Sequence, residues 1–249
     1  KMNYQQHIIT NLITKMRTTN DNLIHMDKFS MDIAGGNIQL SGYFNASDPN
    51  NIYFYPKLNL NNINIGNLML KYDNFGQEAI LSDQLQGTIY GKIAGKVKVK
   101  QDLVPIIDDS KLKIDVLVKD GSIIDYAPLQ ALSNFYDDRS LSRVIFDTLQ
   151  NNMVLENGKM IIPEMVINSN LGFLVISGEQ TLNGDMNYLV RVPLRMVTSV
   201  GARGLFGGRS NENPEELSDF DPNRRYRFIN VSLKGSGENM QVNMVRRPR

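Results

Sequence analysis

Apolar residues alternate with polar ones over most of this chain. Between positions 112 and 118 every even residue is apolar, and all but one of the residues between them are charged. Successive side chains of a strand point to opposite faces, so this pattern predicts antiparallel strands with one apolar and one solvated face. The same alternation occurs at Ile38, Leu40 and Phe44; Leu58 and Leu60; Ile63 and Ile65; Leu68 and Leu70; Val97 and Val99; Tyr188, Val190, Val192 and Leu194; Ile229, Val231 and Leu233; and Met240, Val242 and Met244. The sequence therefore predicts a mainly β fold.

Three dipeptides separate strand-like segments. They are Asp120-Gly121, Asn157-Gly158 and Asn183-Gly184. Such pairs tolerate the positive φ angles that tight hairpin turns require. Each of them predicts a β-hairpin.

Two helices are expected between these strands, over about 127–151. The first begins near Pro128, which suits a first helical turn, and has Leu129, Leu132, Phe135 and Tyr136 at helical spacing. The second shows Leu141, Val144, Ile145 and Leu149 at positions i, i+3, i+4 and i+8. We expect the two helices to form a helical hairpin that covers one end of the sheet.

The length of 249 residues fits one large all-β domain or two small ones. Residues 1–100 have a repetitive strand character, and residues 101–249 carry the expected helices. The stretch from about 195 to 223 is rich in glycine and polar residues, which predicts a long mobile loop.

Composition excludes several classes of protein. The chain has no Cys, which removes disulfides, thiolate nucleophiles and Cys-based metal sites, and only His7 and His25 could serve a catalytic triad or a metal centre. The net charge of +1 argues against a dedicated nucleic-acid binder. No apolar run is long enough for a transmembrane helix, and no signal peptide is evident, so we expect a fragment or a processed form.

Acidic pairs offer weak candidates for acid–base chemistry. Asp108-Asp109, Asp137-Asp138 and Glu215-Glu216 lie at expected turns or before helices, where carboxylates cap or solvate. The glycine-rich run 204–208 lacks the Lys-Ser/Thr ending of a phosphate loop. We therefore expect no catalytic residues, no metal site, no cofactor and no enzymatic activity.

Arginines are concentrated near the end of the chain. Guanidinium groups pair with phosphates in a forked geometry, so a patch facing lipid headgroups or a docking partner is one interpretation, and a solubilising segment is the other. The residues concerned are Arg224, Arg225, Arg227, Arg246, Arg247 and Arg249.

The apolar alternation has two interpretations of its own. In an ordinary sandwich, a second sheet would cover the apolar face. Alternatively, a curved sheet could leave that face open as a groove in which acyl chains lie, driven by apolar burial at roughly 25 cal/mol per Å². Periodicity alone leaves both open.

Several stretches, taken in order, resemble one known family. Glycines punctuate Gly87–Gly95, and the chain continues through Asp102-Leu-Val-Pro105 and Asp125-Tyr-Ala-Pro-Leu129. Phe146-Asp-Thr-Leu-Gln-Asn151 and Tyr188-Leu-Val-Arg-Val-Pro193 follow. Over roughly residues 55–210 this order and spacing is similar to the C-terminal region of AsmA-like proteins, which are related to TamB-type bridge-like lipid transfer proteins.

The resemblance implies a taco-like, curved antiparallel sheet of hairpins with an apolar interior that conducts phospholipid. It implies a periplasmic protein of envelope biogenesis, anchored in the inner membrane in its full-length form and delivering lipid toward the outer membrane. The family has no catalytic residues to carry over to this chain, because its functional surface is the lining of the groove. The candidates for that lining, chosen by alternation, are Leu112, Ile114, Val116, Val118, Phe173, Val175, Val190 and Val192.

Two other functions remain open at this stage. The chain could be a non-enzymatic scaffold or docking subunit of an envelope-spanning assembly, using its sheet edges and C-terminal arginines. A carbohydrate-active β protein is the weakest alternative, since the chain contains no Trp to serve as a sugar platform.

Overall fold

The computed structural model describes residues 2–4, 7–19, 22–71, 81–133, 141–194, 219–236 and 239–245. Within these ranges the chain is mainly β, with two short helices. The strands are β1 (Met2–Tyr4), β2 (His7–Thr18), β3 (Leu23–Ile33), β4 (Gly36–Asn45), β5 (Ile52–Asn64), β6 (Leu85–Val99), β7 (Pro105–Ile124), β8 (Arg143–Glu156), β9 (Lys159–Ser169), β10 (Gly172–Thr181), β11 (Met186–Pro193), β12 (Phe228–Gly235) and β13 (Gln241–Val245). The helices are α1 (Ile65–Lys71) and α2 (Ala127–Gln130).

Each strand pairs antiparallel with the next one in the chain, so the spatial order is β1 to β13 without a crossover. Strands β2–β13 form one curved sheet that does not close on itself, and the three-residue β1 pairs with β2 at its edge. This confirms the expectation of a curved antiparallel sheet built from hairpins. It also means that the sheet continues without a break across residue 100, where β6 and β7 pair.

Two of the three expected turns are confirmed. Asn157 and Gly158 link β8 to β9 with φ angles of 53° and 71°, the positive values that a two-residue hairpin turn needs. Asn183 and Gly184 lie in the four-residue loop between β10 and β11.

The prediction of a hairpin turn at Asp120-Gly121 was wrong. Strand β7 runs straight through this pair, and the positive φ of Asp120, 50°, forms an irregularity in the strand. Across from it the β6 register shifts near Gly87, and on β8 the ring of Phe146 lies over Gly121. Asp120 and Gly121 thus allow a bulge within β7 that changes the direction of its side chains, in place of a turn.

The second predicted helix was also wrong. Residues 143–156 form strand β8, which pairs with β7 along nearly its full length. Val144 and Phe146 are buried while Ile145 is 44% exposed, the alternation of a strand. The apolar spacing is compatible with the period of a helix and with that of a strand. The 20-residue β7 offers a continuous row of backbone hydrogen-bond partners, and this favours the strand.

Of the predicted helical hairpin only α2 is present in the described residues, with Pro128 in its first turn as expected. Phe135, Tyr136 and residues 137–140 lie outside the described residues. Most of the expected mobile loop, 195–218, lies outside them too. None of the helices in the described ranges has the length and apolar character needed to cross a bilayer.

Candidate functional site

The register divides the sheet into an apolar and a polar face. On β7, Ile114 lies beside Ile93 of β6 and Met153 of β8, because residues paired across strands share a face. The residues on either side of it, Lys113 and Asp115, point to the opposite face and are exposed. The same division holds along β4, β5, β6 and β8.

The burial of the apolar face indicates that it is the concave one. Val97, Val99, Val116 and Val118 are at most 9% exposed, although β4–β8 belong to a single sheet. Side chains reach that burial within one layer when the sheet curves so that neighbouring side chains converge. On the opposite face the side chains diverge, which is consistent with the exposure of Lys113 and Asp115.

A continuous row of apolar side chains crosses this concave face. It takes one residue from each of six neighbouring strands, β3 to β8, and each residue is paired in register with the next. The members of this central apolar row are Phe29, Leu40, Leu58, Ile93, Ile114 and Met153. All six are half-buried, so each offers part of its surface for contact. Five inter-strand spacings of about 4.8 Å give the row a length of roughly 24 Å.

The row next to it is also without charge. It runs Met31, Ile38, Leu60, Gly91, Val116 and Asn151. Its one polar side chain, Asn151, is buried and donates from Nδ2 to the carbonyl oxygen of Pro163 at 3.3 Å. The amide is therefore satisfied at the point where β9 leaves the ladder of β8, and it adds no charge to the surface.

Both ends of the apolar face are packed. Near β3–β6, Leu68 of α1 belongs to a buried cluster with Ile33, Ile38 and Ile63. Near β10–β12, Leu132 and Leu141 are fully buried in the cluster that contains the apolar residues of these strands. Leu132 lies two residues after α2, so the chain that follows this helix contributes to the cluster at the β10–β12 end. The central apolar row runs beside the first cluster, against which Phe29 and Leu58 pack, and it ends at β8, before the second cluster.

Six of the eight predicted lining residues share the concave face. Leu112, Ile114, Val116 and Val118 lie along β7, and the register through β8, β9 and β10 places Val190 and Val192 of β11 on the same side. Their environments differ, because Leu112 and Ile114 are half-buried whereas Val190 and Val192 are 3% and 0% exposed within the packed cluster.

Phe173 and Val175 do not share that face. In the β10–β11 hairpin, Val175 pairs with Arg191 and Ile176 pairs with Val190, so it is Ile176 that joins Val190. A difference of one residue in register reverses the face of every side chain on a strand. The set of eight chosen by alternation therefore combines residues from both sides of the sheet.

Phe173 instead builds an aromatic cluster on the face opposite the concave one, which is apolar at this end of the sheet. Its ring meets those of Phe220 and Tyr226 edge-on at 5.2 and 4.7 Å between centroids. The backbone N–H of Phe220 donates to Asn168 Oδ1 at 3.0 Å, which fixes this segment against β9. The cluster has the geometry of a packed core, because Phe173 is fully buried.

The arginines selected from the sequence do not lie along the central apolar row in the described residues. Arg224, Arg225 and Arg227 are exposed and lie in the segment that carries Phe220 and Tyr226, so they are displayed on the side of β10–β12 opposite the concave face and not along the central apolar row. Arg246, Arg247 and Arg249 lie outside the described residues. Arg191, which the sequence analysis did not select, forms an ion pair with Glu164 at 2.7 Å and lies over the ring of Phe228.

Most of the central apolar row was missed by sequence reasoning. Leu40 and Leu58 stand in alternating segments, so a signal was available for them. Ile93 stands between glycines and lysines, where alternation is weak. Only the register shows that these residues form one row with Ile114.

The described residues show little that could perform acid–base or metal chemistry. No group of three or more His, Cys, Asp or Glu side chains that could hold a metal ion comes together in them. Asp109 pairs with Lys98 at 2.7 Å, and the other two acidic pairs lie outside the described ranges. His25 contacts the ring of Tyr43, with 5.8 Å between centroids, and the side chain of His7 is not described.

Among the described residues, large pKa shifts occur at Tyr126, which is half-buried and directly precedes α2, and at the buried Tyr188 of β11. Burial raises the pKa of Tyr126 to about 12. Burial, with a smaller contribution from Tyr126, raises the pKa of Tyr188 well above its ordinary value, and its hydroxyl donates to Gln180 Oε1. These shifts follow from removal of the phenols from water at the packed end of the concave face.

Comparison with protein-family models, with curated proteins and with solved structures gives no match.

Proposed function

We propose that this chain binds phospholipid by its acyl chains along the concave apolar face and lets them move along it, as a non-enzymatic protein of envelope biogenesis. The observation that carries the proposal is the central apolar row: six half-buried apolar side chains in register over roughly 24 Å. That length exceeds the roughly 15 Å of hydrocarbon in one leaflet of a bilayer.

Such a surface suits a mobile apolar ligand. Each methylene group removed from water contributes about 0.8 kcal/mol, and the interaction has no preferred direction, so a chain can shift along the row at little cost. The row and its neighbour contain no charged side chain that would trap or repel the hydrocarbon. The headgroup would stay in water at the mouth of the curved sheet, and no bond is made or broken.

The cellular setting is proposed on the resemblance to AsmA-like proteins. On that basis the protein works in the periplasm, is attached to the inner membrane in its full-length form, and carries phospholipid toward the outer membrane. Its partners are then phospholipid and proteins of the two membranes, and nucleic acid is not among them.

The first test is to extract the purified, detergent-free chain and measure bound lipid by mass spectrometry. The informative variant is Leu58→Glu/Ile114→Glu, which places two charges on the central apolar row. Its matched control is Asn59→Glu/Gln150→Glu, which makes the same charge change at exposed positions of the polar face. We expect stoichiometric phospholipid in the wild type and the control, and its loss in the row variant with the fold retained by circular dichroism.

A lipid-free, folded wild-type chain would contradict the proposal and favour the docking alternative. One observation supports that alternative: the edge strand β13 ends the sheet, and Met244 and Val245 on it are 56% and 36% exposed. Unpaired edges are templates for strand addition by another protein. The same lipid measurement therefore separates the two functions.

A further inference from the structure

Lysines are concentrated on the polar face of β5, β6 and β7. Around the exposed, small side chain of Ala94 they occupy the neighbouring outward positions: Ala94 pairs with Lys57 on one side and with Lys113 on the other. Lys92 and Lys96 stand two residues away along β6, and Lys111 pairs with Lys96. We name Lys57, Lys92, Lys96, Lys111 and Lys113 the lysine patch. The whole chain carries a net charge of only +1, so this concentration is strongly uneven.

The patch is only partly neutralised by the protein itself. Lys111 pairs with Glu156 at 2.7 Å, and the Lys96 ammonium lies 3.6 Å from the centre of the Tyr53 ring. Within the described ranges no ion pair is formed by Lys57, Lys92 or Lys113, although Asp115 stands opposite Lys92. Lys96 and Lys111 face each other directly, and like charges in that arrangement destabilise a sheet. An external anion would relieve that repulsion.

The chemistry of the patch favours an extended anionic surface. All five groups are ammonium groups, which act as hydrated point charges, whereas the forked geometry that recognises a single phosphate belongs to arginine. The lysines spread over three strands, with neighbours about 5 Å apart across the sheet and roughly 7 Å apart along it. Such spacing matches many separate charges better than one small anion.

The adjacent tyrosines argue against single-stranded nucleic acid. Proteins that bind such strands present aromatic faces on which bases stack. Here the rings of Tyr43 and Tyr55 are stacked on each other at 4.7 Å, and the face of Tyr53 is occupied by Lys96. Tyrosine beside lysine is, however, a typical combination where a protein meets a membrane–water interface.

We propose that the lysine patch docks this chain on the surface of a bilayer containing anionic phospholipid headgroups. The docking surface lies on the face opposite the central apolar row, because Lys113 and Ile114 are successive residues of β7. It is therefore independent of any lipid held on the concave face, and it would bring the sheet to a membrane with the concave face directed away.

The experiment is co-sedimentation of the purified chain with vesicles of phosphatidylcholine, with and without one third phosphatidylglycerol, at low and high salt. The test variant is Lys57→Gln/Lys92→Gln/Lys113→Gln. The matched control is Lys15→Gln/Lys100→Gln/Lys234→Gln, which removes the same charge from exposed lysines elsewhere. The conservative variant Lys57→Arg/Lys92→Arg/Lys113→Arg keeps the charge. Binding to a labelled single-stranded oligonucleotide is measured in parallel.

We expect binding to the anionic vesicles only, weakened by salt over a range set by charge screening. Each lysine at such a surface contributes about a fivefold change in partitioning, so the test variant should bind on the order of a hundredfold more weakly. The control and arginine variants should bind like the wild type. Equal loss in the test and control variants, no binding to anionic vesicles, or tighter binding to the oligonucleotide would each overturn the proposal.

Discussion

Replacing Phe173 by Ala tests whether this residue builds the protein or lines the lipid path. Alternation along the sequence groups Phe173 with the lining, whereas the register places it on the opposite face among Phe220, Tyr226 and Phe228. The two assignments differ in their consequences. A lining residue affects lipid binding, and a core residue affects stability.

The size of the stability effect follows from burial. Phe173 is 0% exposed, and truncation to Ala removes roughly 150 Å² of apolar contact. At about 25 cal/mol per Å² this amounts to about 4 kcal/mol, within the range of about 3–5 kcal/mol observed for buried Phe→Ala changes. Domains of this kind are stable by about 5–15 kcal/mol, so the loss is a large part of the total.

The assay is urea denaturation followed by far-ultraviolet circular dichroism, with bound lipid measured on the folded fraction. We expect Phe173→Ala to lower the urea midpoint strongly and to leave the lipid content per folded chain unchanged. The comparison variant is Ile114→Ala, whose half-buried side chain should cost about 1–2 kcal/mol and reduce bound lipid. If Phe173→Ala removed lipid without lowering the midpoint, the assignment of the two faces would be refuted.

Three further predictions concern the fold. Gly121→Ala places a Cβ 2.2 Å from the Phe146 ring and should destabilise by about 2 kcal/mol, but less in a Phe146→Leu background, as a double-mutant cycle by urea denaturation will show. Gly158→Ala imposes a side chain at φ of 71° and should cost about 1 kcal/mol in the same assay; no loss would contradict the turn geometry. Tyr126 and Tyr188 have raised pKa values, so the folded state holds their phenol protons more tightly than the unfolded chain does. The resulting contribution to the free energy of unfolding is present below the ordinary pKa of 10.0 and is lost as the pH rises through the pKa values of the folded state. Spectrophotometric titration should show two phenols ionising after the others, and simultaneous ionisation of all would contradict their burial.

Local sequence was sufficient for the class of fold and for some of its turns. The alternation from Leu112 to Val118 has only one simple structural solution, because a period of two matches a strand and no helix. Asn157-Gly158 forms its hairpin because both residues tolerate positive φ angles wherever they stand. These conclusions depend on neighbours within a few residues, so no knowledge of the rest of the chain was needed.

Other segments carried a local signal that tertiary contacts overruled. The apolar spacing in 141–149 fits a helix and a strand, and hydrogen bonding to the backbone of β7 stabilises the strand. Asp120-Gly121 has the composition of a turn, yet the packing of Phe146 on Gly121 keeps β7 continuous.

Alternation along the chain was enough to establish that most of it forms antiparallel strands. Which apolar residues share a surface could not be read from alternation, since Phe173 and Val190 have the same local pattern and lie on opposite faces. The face of a residue depends on the pairing register, and the register is set by loop lengths and bulges that accumulate from strand to strand. The central apolar row and the lysine patch both arise from this register, because their members lie far apart in the sequence and adjacent in the sheet.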